Sequence, residues 1–190
     1  MRVKDDTKFR AICDATISLV NEIGFAAASV AKIAKRAGVS PATIYIYFDN
    51  KDDLLVSTYT TIKKEMSEAM LAGIDLQAPV RDIFQQIWRQ TFVYVTQHRD
   101  KFQFTEQFAN SPYVDQVDST EIDRYFAPVF AVIQRGIDQK IIKNVNFDLL
   151  SAFMFFPILT LANSRLCRSF TPTEENIDIS FSLAWDAIKL

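Results

Sequence analysis

The 190-residue chain is 49% hydrophobic and carries a formal net charge of −2, so it has apolar mass for a substantial core and an ordinary charge. It has no apolar run long enough to cross a bilayer, and its first residues, MRVKDDTK, lack a signal-peptide core, which predicts a cytoplasmic protein with no membrane partner. A single histidine, His98, and two distant cysteines, Cys13 and Cys167, offer no triad, dyad or zinc set, so the expectation is a protein that is not an enzyme and uses no cofactor or metal.

In chain order, the first predicted helix runs from about Asp5 to Glu22, with Phe9, Ile12, Thr16, Leu19 and Ile23 on its inward stripe. Gly24 ends it and Phe25 staples the turn into the next helix. Lys4 and Lys8, near its start, are either phosphate contacts or part of a solvated face. Ser29 is placed to cap a second helix that buries Val30, Ile33, Ala34 and Ala37 and turns Lys32, Lys35 and Arg36 outward. Gly38 can take the positive φ that stops it. Ser40 and Pro41 then open a third helix that turns Ile44 and Phe48 inward. Ala42, Thr43, Ile46 and Tyr47 are left facing out, with Tyr45 on one flank.

Two short helices with a tight turn and a small-residue second N-terminus suit a major groove, where bulkier side chains would hold the helix off the bases. Hydroxyls of Ser40, Thr43, Tyr45 and Tyr47 supply backbone hydrogen bonds, Lys51 supplies charge, and Ala42, Thr43 and Ile46 offer methyl and alkyl contacts to thymine. Charge is divided accordingly: residues 1–51 carry +3 and the remainder −5. An αα-hairpin with a solvated basic face would satisfy the same geometry.

The wording of the segment goes further. A-x-x-A-G-V-S over Ala34 to Ser40, then T-I-Y-x-Y-F over Thr43 to Phe48 and K-x-x-L over Lys51 to Leu54, resembles the TetR/AcrR family of regulators. The resemblance implies DNA contacts at Ala31, Lys32, Ser40, Ala42, Thr43, Tyr45, Tyr47 and Lys51. Ile46 fills a slot that is often polar or aromatic in that family.

A fourth helix starts after Asp49-Asn50, with Asp52 and Asp53 in its first turn, and reaches about Ala72 as the connector between two domains. Eleven of the sixteen phenylalanines then fall between Phe84 and Phe156. A fifth helix covers about Pro79 to Gln97, and a sixth covers about Asp100 to Ala109. A seventh is capped by Asp118 and Glu121 and disturbed at Pro128; the place where related proteins often exit on glycine is Lys140. An eighth runs from Asn146 to about Arg165, and a last one is capped by Thr173. The fold expected is all-α with about nine helices: a helix-turn-helix head over 1–50, helix 51–72 as connector, and a helical ligand-binding and dimerisation domain over 51–190.

The helices at the C-terminal end carry more apolar surface than one subunit needs. They predict a homodimer through Phe153, Phe156, Thr160, Phe181, Ala184, Trp185 and Ile188. The aromatic density predicts a hydrophobic effector among Trp88, Phe92, Tyr94, Phe104, Glu106, Gln107, Phe108, Tyr113, Phe126 and Phe130. The function expected is a transcriptional repressor on a near-palindromic double-stranded operator, released by a hydrophobic small molecule. The alternative keeps the DNA head and gives the C-terminal domain a protein partner.

Overall fold

The computed structural model describes residues 6–163 and 165–190. Among them are α1 (Asp6–Ala27), α2 (Val30–Ala37), α3 (Pro41–Tyr47), α4 (Lys51–Leu71), α5 (Val80–Gln97), α6 (Arg99–Ala109), α7 (Ser119–Asp138), α8 (Phe147–Met154), α9 (Phe156–Ala162) and α10 (Glu174–Ile188). A 3-10 helix covers Pro112–Gln116, and Ile142 and Lys189 meet in an isolated antiparallel bridge. Lys4 and Asp5 lie outside the described residues.

The chain divides into two compact units: the segment ending at Lys63 joined by His98–Ser119, and Lys64–Gln97 joined by Thr120–Leu190. α6 and the 3-10 helix therefore belong with the helix-turn-helix, although they lie beyond α5 in sequence.

In the first unit α1 buries Ile12, Cys13, Thr16, Ile17, Leu19 and Val20. Ile23, expected on the inward stripe, is 37% exposed. The helical ladder is interrupted at the next residue, Gly24 (φ 76°, ψ 166°), so the chain turns away before Ile23 can follow the buried arc. Phe25 takes a different place from the staple expected of it. Its ring packs on Phe104, Phe108 and Tyr113, with centroids 5.8, 6.1 and 5.4 Å away.

The second unit is built round Ile83, Phe84, Ile87, Trp88, Val132, Phe181 and Trp185. Gly136 is required there by space: a Cβ would lie 2.6 Å from Ile142 Cδ1 and 3.1 Å from Val80 Cγ1. α7 runs through Pro128 as one element and ends at Asp138, and Lys140 carries the left-handed φ of 58° that turns the chain back. The amides of Ile141 and Ile142 then donate to the Gly136 carbonyl at 2.9 and 3.1 Å.

The expected eighth helix is two. α8 ends at Met154, Phe155 caps both helices, and α9 begins at Phe156 with Pro157 in its first turn. Pro157 has no N–H to give the Phe153 carbonyl, so the ladder of one continuous helix is broken there despite the continuous apolar pattern. That break makes ten α-helices among the described residues where about nine were expected.

Candidate nucleic-acid interface

The interface is set by three local devices. Ser29 (φ −85°, ψ 155°) caps α2 by accepting from the Lys32 amide at 3.4 Å. Gly38, at φ 68°, stops it, and the Val39 amide closes back on Ala34 O at 3.0 Å. Ser40 caps α3 by accepting from the Thr43 amide at 3.1 Å, with Pro41 in the first turn. The resulting turn holds α3 by burying Ile44 and Phe48.

Anchoring those two residues aims the rest. Tyr45 and Ile46 are 57% and 51% exposed, and Ala31, Lys32, Ser40 and Ala42 are exposed beside them. Exposed apolar side chains on a short helix contribute nothing to their own core. Thr43 is half-buried, its hydroxyl 2.9 Å from that of Ser40. Tyr47 is half-buried, its ring 6.3 Å from Phe9, which itself stacks on Phe48 at 5.5 Å.

The basic residues are tied back to the head. Lys32 Nζ donates to Ala27 O at 3.1 Å and Lys51 Nζ to Phe25 O at 2.6 Å, so both ammonium groups cap carbonyls at the end of α1. Arg36 donates to Ser18 Oγ at 2.8 Å and pairs with Glu22 at 2.6 Å. Apart from the Lys32 tie, which spans five residues, they join residues 14 to 26 apart in sequence and carry no local signal. The one clue to them is Phe25, an aromatic directly after a helix-breaking glycine.

The ten residues expected round an effector fall into separate groups. Phe104 and Phe108 are buried in the first unit with Tyr113 and Phe25, and Tyr59 stacks on Phe108 at 4.4 Å. Gln107, in the same unit, donates to Asn21 Oδ1 at 2.9 Å, and Asn21 in turn donates to Asp100 O at 2.8 Å. Glu106 is half-buried there. Trp88, Phe92 and Tyr94 are buried in the second unit, where Phe126 and Phe130 pack against the core. Within that core a space of about 10 Å³ is lined by Phe84, Ile133, Ile142, Leu150, Met154, Phe155 and Ile188.

The residues expected at a dimer face also divide. Phe153 and Phe156 are each 56% exposed and Thr160 is exposed, whereas Phe181, Ala184, Trp185 and Ile188 point into their own core. The outward side of α10 carries Ile179 and Leu183 instead, with Leu183 69% exposed. No helix among the described residues is long and apolar enough to cross a membrane, and no group of three His, Cys, Asp or Glu among them could hold a metal ion.

Residues 12–58 match the model of bacterial regulatory proteins of the tetR family, and residues 79–189 match that of the tetracyclin repressor-like C-terminal domain. A TetR family transcription regulator from Marinobacter aquaeolei VT8 is 34% identical, with 100% of this chain and 99% of that one covered and a TM-score of 0.89. The fatty acid metabolism regulator protein of Bacillus subtilis is 37% identical over 75 residues, which span 40% of this chain and 39% of that relative's length. A FadR structure from Bacillus subtilis, in complex with stearoyl-CoA, shares the fold at 20% identity, with 95% of this chain and 97% of that one covered and a TM-score of 0.73.

Proposed function

The chain belongs to the TetR family of bacterial regulators, and on that premise we propose that this DNA-binding transcription regulator is a homodimeric repressor released by a hydrophobic small molecule. The observation that carries the reading is the outward face of α3, where Ala42, Tyr45 and Ile46 stand in solvent on a helix anchored by Ile44 and Phe48. Two such helices read successive major grooves about 34–36 Å apart on a near-palindromic operator. Ala31, Lys32, Ser40, Tyr45, Tyr47 and Lys51 contribute backbone contacts, and Ala42, Thr43 and Ile46 meet base edges.

The partner that sets this spacing is a second copy of the chain. Phe153 and Phe156 with Ile179 and Leu183 form the apolar surface it covers, a more suitable set than the inward-facing residues of α10. The effector is apolar because the groups available to meet it are aromatic, and the FadR complex with stearoyl-CoA supports an elongated acyl group as the first class to try.

Effector and operator then oppose one another by a coupling energy of about 1–3 kcal/mol, and by linkage the effect is reciprocal. Titration of palmitoyl-CoA and other hydrophobic compounds with and without operator tests this. A hit that binds more weakly in the presence of operator supports release, and hits that bind equally in both conditions contradict it.

A further inference from the structure

Phe25 is held from two directions inside the first unit. Its ring sits among Phe104 and Phe108 of α6 and Tyr113 of the 3-10 helix, at centroid distances of 5.8, 6.1 and 5.4 Å. Its carbonyl accepts from Lys51 Nζ at 2.6 Å. α6 is itself registered on α1 through Gln107, Asn21 and Asp100, so the ring's seat is fixed relative to the helix that leads into Phe25.

Lys51 is an unusual residue for its position. It is the first residue of α4, where the helix dipole disfavours a cation, and Asp52 and Asp53 follow it. The residue is half-buried. An ammonium carries three donors, and the Phe25 carbonyl takes one of them. A free lysine would lose the entropy of several side-chain torsions on meeting a phosphate, whereas one already anchored loses less.

We propose that Phe25 is a positioning residue for operator binding: its carbonyl aims the Lys51 ammonium at a DNA phosphate, and α6 fixes that aim through the Phe25 ring. The inference rests on the DNA-binding reading of α3 and goes beyond it by making one phosphate contact dependent on α6. A shift of α6 moves the ring, the ring moves the carbonyl, and the lysine loses its bearing. α6 thereby weakens DNA binding without touching DNA.

The test is the salt dependence of binding, because each phosphate neutralised contributes about 0.9 to the slope of log K against log salt. A duplex selected from a random pool is titrated with the full chain by fluorescence anisotropy across a potassium chloride series. Lys51→Met is expected to lower the slope by about 0.9 per subunit. Phe25→Ala is expected to lower it by the same amount, the double variant no further, and Phe25→Leu, which keeps the cluster filled, to retain the wild-type slope. Tyr113→Ala loosens the ring from the other side with Phe25 and Lys51 intact, and the slope is expected to fall again; this variant stands if Phe25→Ala fails to fold. A wild-type slope in Tyr113→Ala, or in a folded Phe25→Ala, overturns the proposal, because a merely structural residue changes stability and leaves the slope alone. A wild-type slope in Lys51→Met overturns it too while leaving DNA binding intact. Absence of any salt-dependent binding by the wild type removes the DNA-binding reading itself.

Discussion

The indole N–H of Trp88 donates to the Ser180 hydroxyl at 3.2 Å, and the same hydroxyl donates to the Ile177 carbonyl at 2.8 Å. One small side chain thus satisfies a buried donor on α5 and a carbonyl within α10. Ser180→Ala leaves the indole N–H buried without its partner, which costs about 1–3 kcal/mol. Trp88→Phe in that background removes the stranded donor and is expected to recover part of the hydrogen-bond loss, set against its own loss of packing. Urea unfolding of the two single variants and the double variant checks this through a positive coupling; strictly additive losses would mean the bond contributes nothing.

Arg89 and Asp178 form a two-pronged pair between α5 and α10, at 2.9 Å from Nε and 2.5 Å from the terminal nitrogen. Hydrogen bonding from Arg89 holds the Asp178 carboxyl below its ordinary value, helped by Gln85 and by the Arg89 charge. A lowered folded-state pKa means the stabilisation is complete above the unfolded value of about 3.9 and is lost as pH falls through the folded value. The pair is partly solvent-screened, so Asp178→Asn is expected to cost only about 0.5–1 kcal/mol at pH 7. The gap between wild type and variant should narrow in denaturation curves as pH falls below the unfolded value of about 3.9, and a gap that stays constant or widens over that fall would contradict the assignment.

Gly136→Ala places a methyl 2.6 Å from Ile142 Cδ1. Alanine favours a helix over glycine by about 1 kcal/mol, but overpacking costs about 1–3 kcal/mol, and with the neighbours fixed in place the overpacking outweighs the gain. A lower denaturation midpoint for Gly136→Ala is expected, with partial recovery when Ile142→Val removes the nearest carbon. A stabilised single variant would show that the core here can yield.

Leu183→Asp and Trp185→Asp separate assembly from folding, although they lie two residues apart. Leu183 is exposed and Trp185 buried. Leu183→Asp should sediment as a folded monomer with weakened operator binding, whereas Trp185→Asp should lose helical signal, since an unpaired charge in a core is strongly destabilising. A dimeric Leu183→Asp protein would relocate the interface.

What the sequence discloses follows from how far each signal reaches. Ser29, Gly38, Ser40 and Pro41 act within a turn of their own positions, and the helix-turn-helix is legible from them. The exit at Lys140 is legible by resemblance, as a place where a left-handed residue is needed. Leu183 and Trp185 are both apolar on one helix, and periodicity alone does not say which face meets the subunit's own core. Phe104 and Phe108 resemble effector contacts in sequence because their neighbours, Phe25 and Tyr59, come from distant segments that only the folded chain brings close. Pro157 gives little warning of the break before it, because its apolar surroundings continue the helical pattern on both sides. The tie from Lys51 to the Phe25 carbonyl spans 26 residues and depends on two helices meeting, and only Phe25, an aromatic directly after a helix-breaking glycine, hints at it.

Selection of bound duplexes from a random DNA pool, followed by footprinting on the winning sequence, measures the central relationship most directly. Two inverted half-sites with centres about 10–10.5 base pairs apart, or a whole-turn multiple of that, protected together on one face of the duplex are the predicted result. Recovery of unrelated sequences, or of a single half-site bound by one subunit, would contradict it.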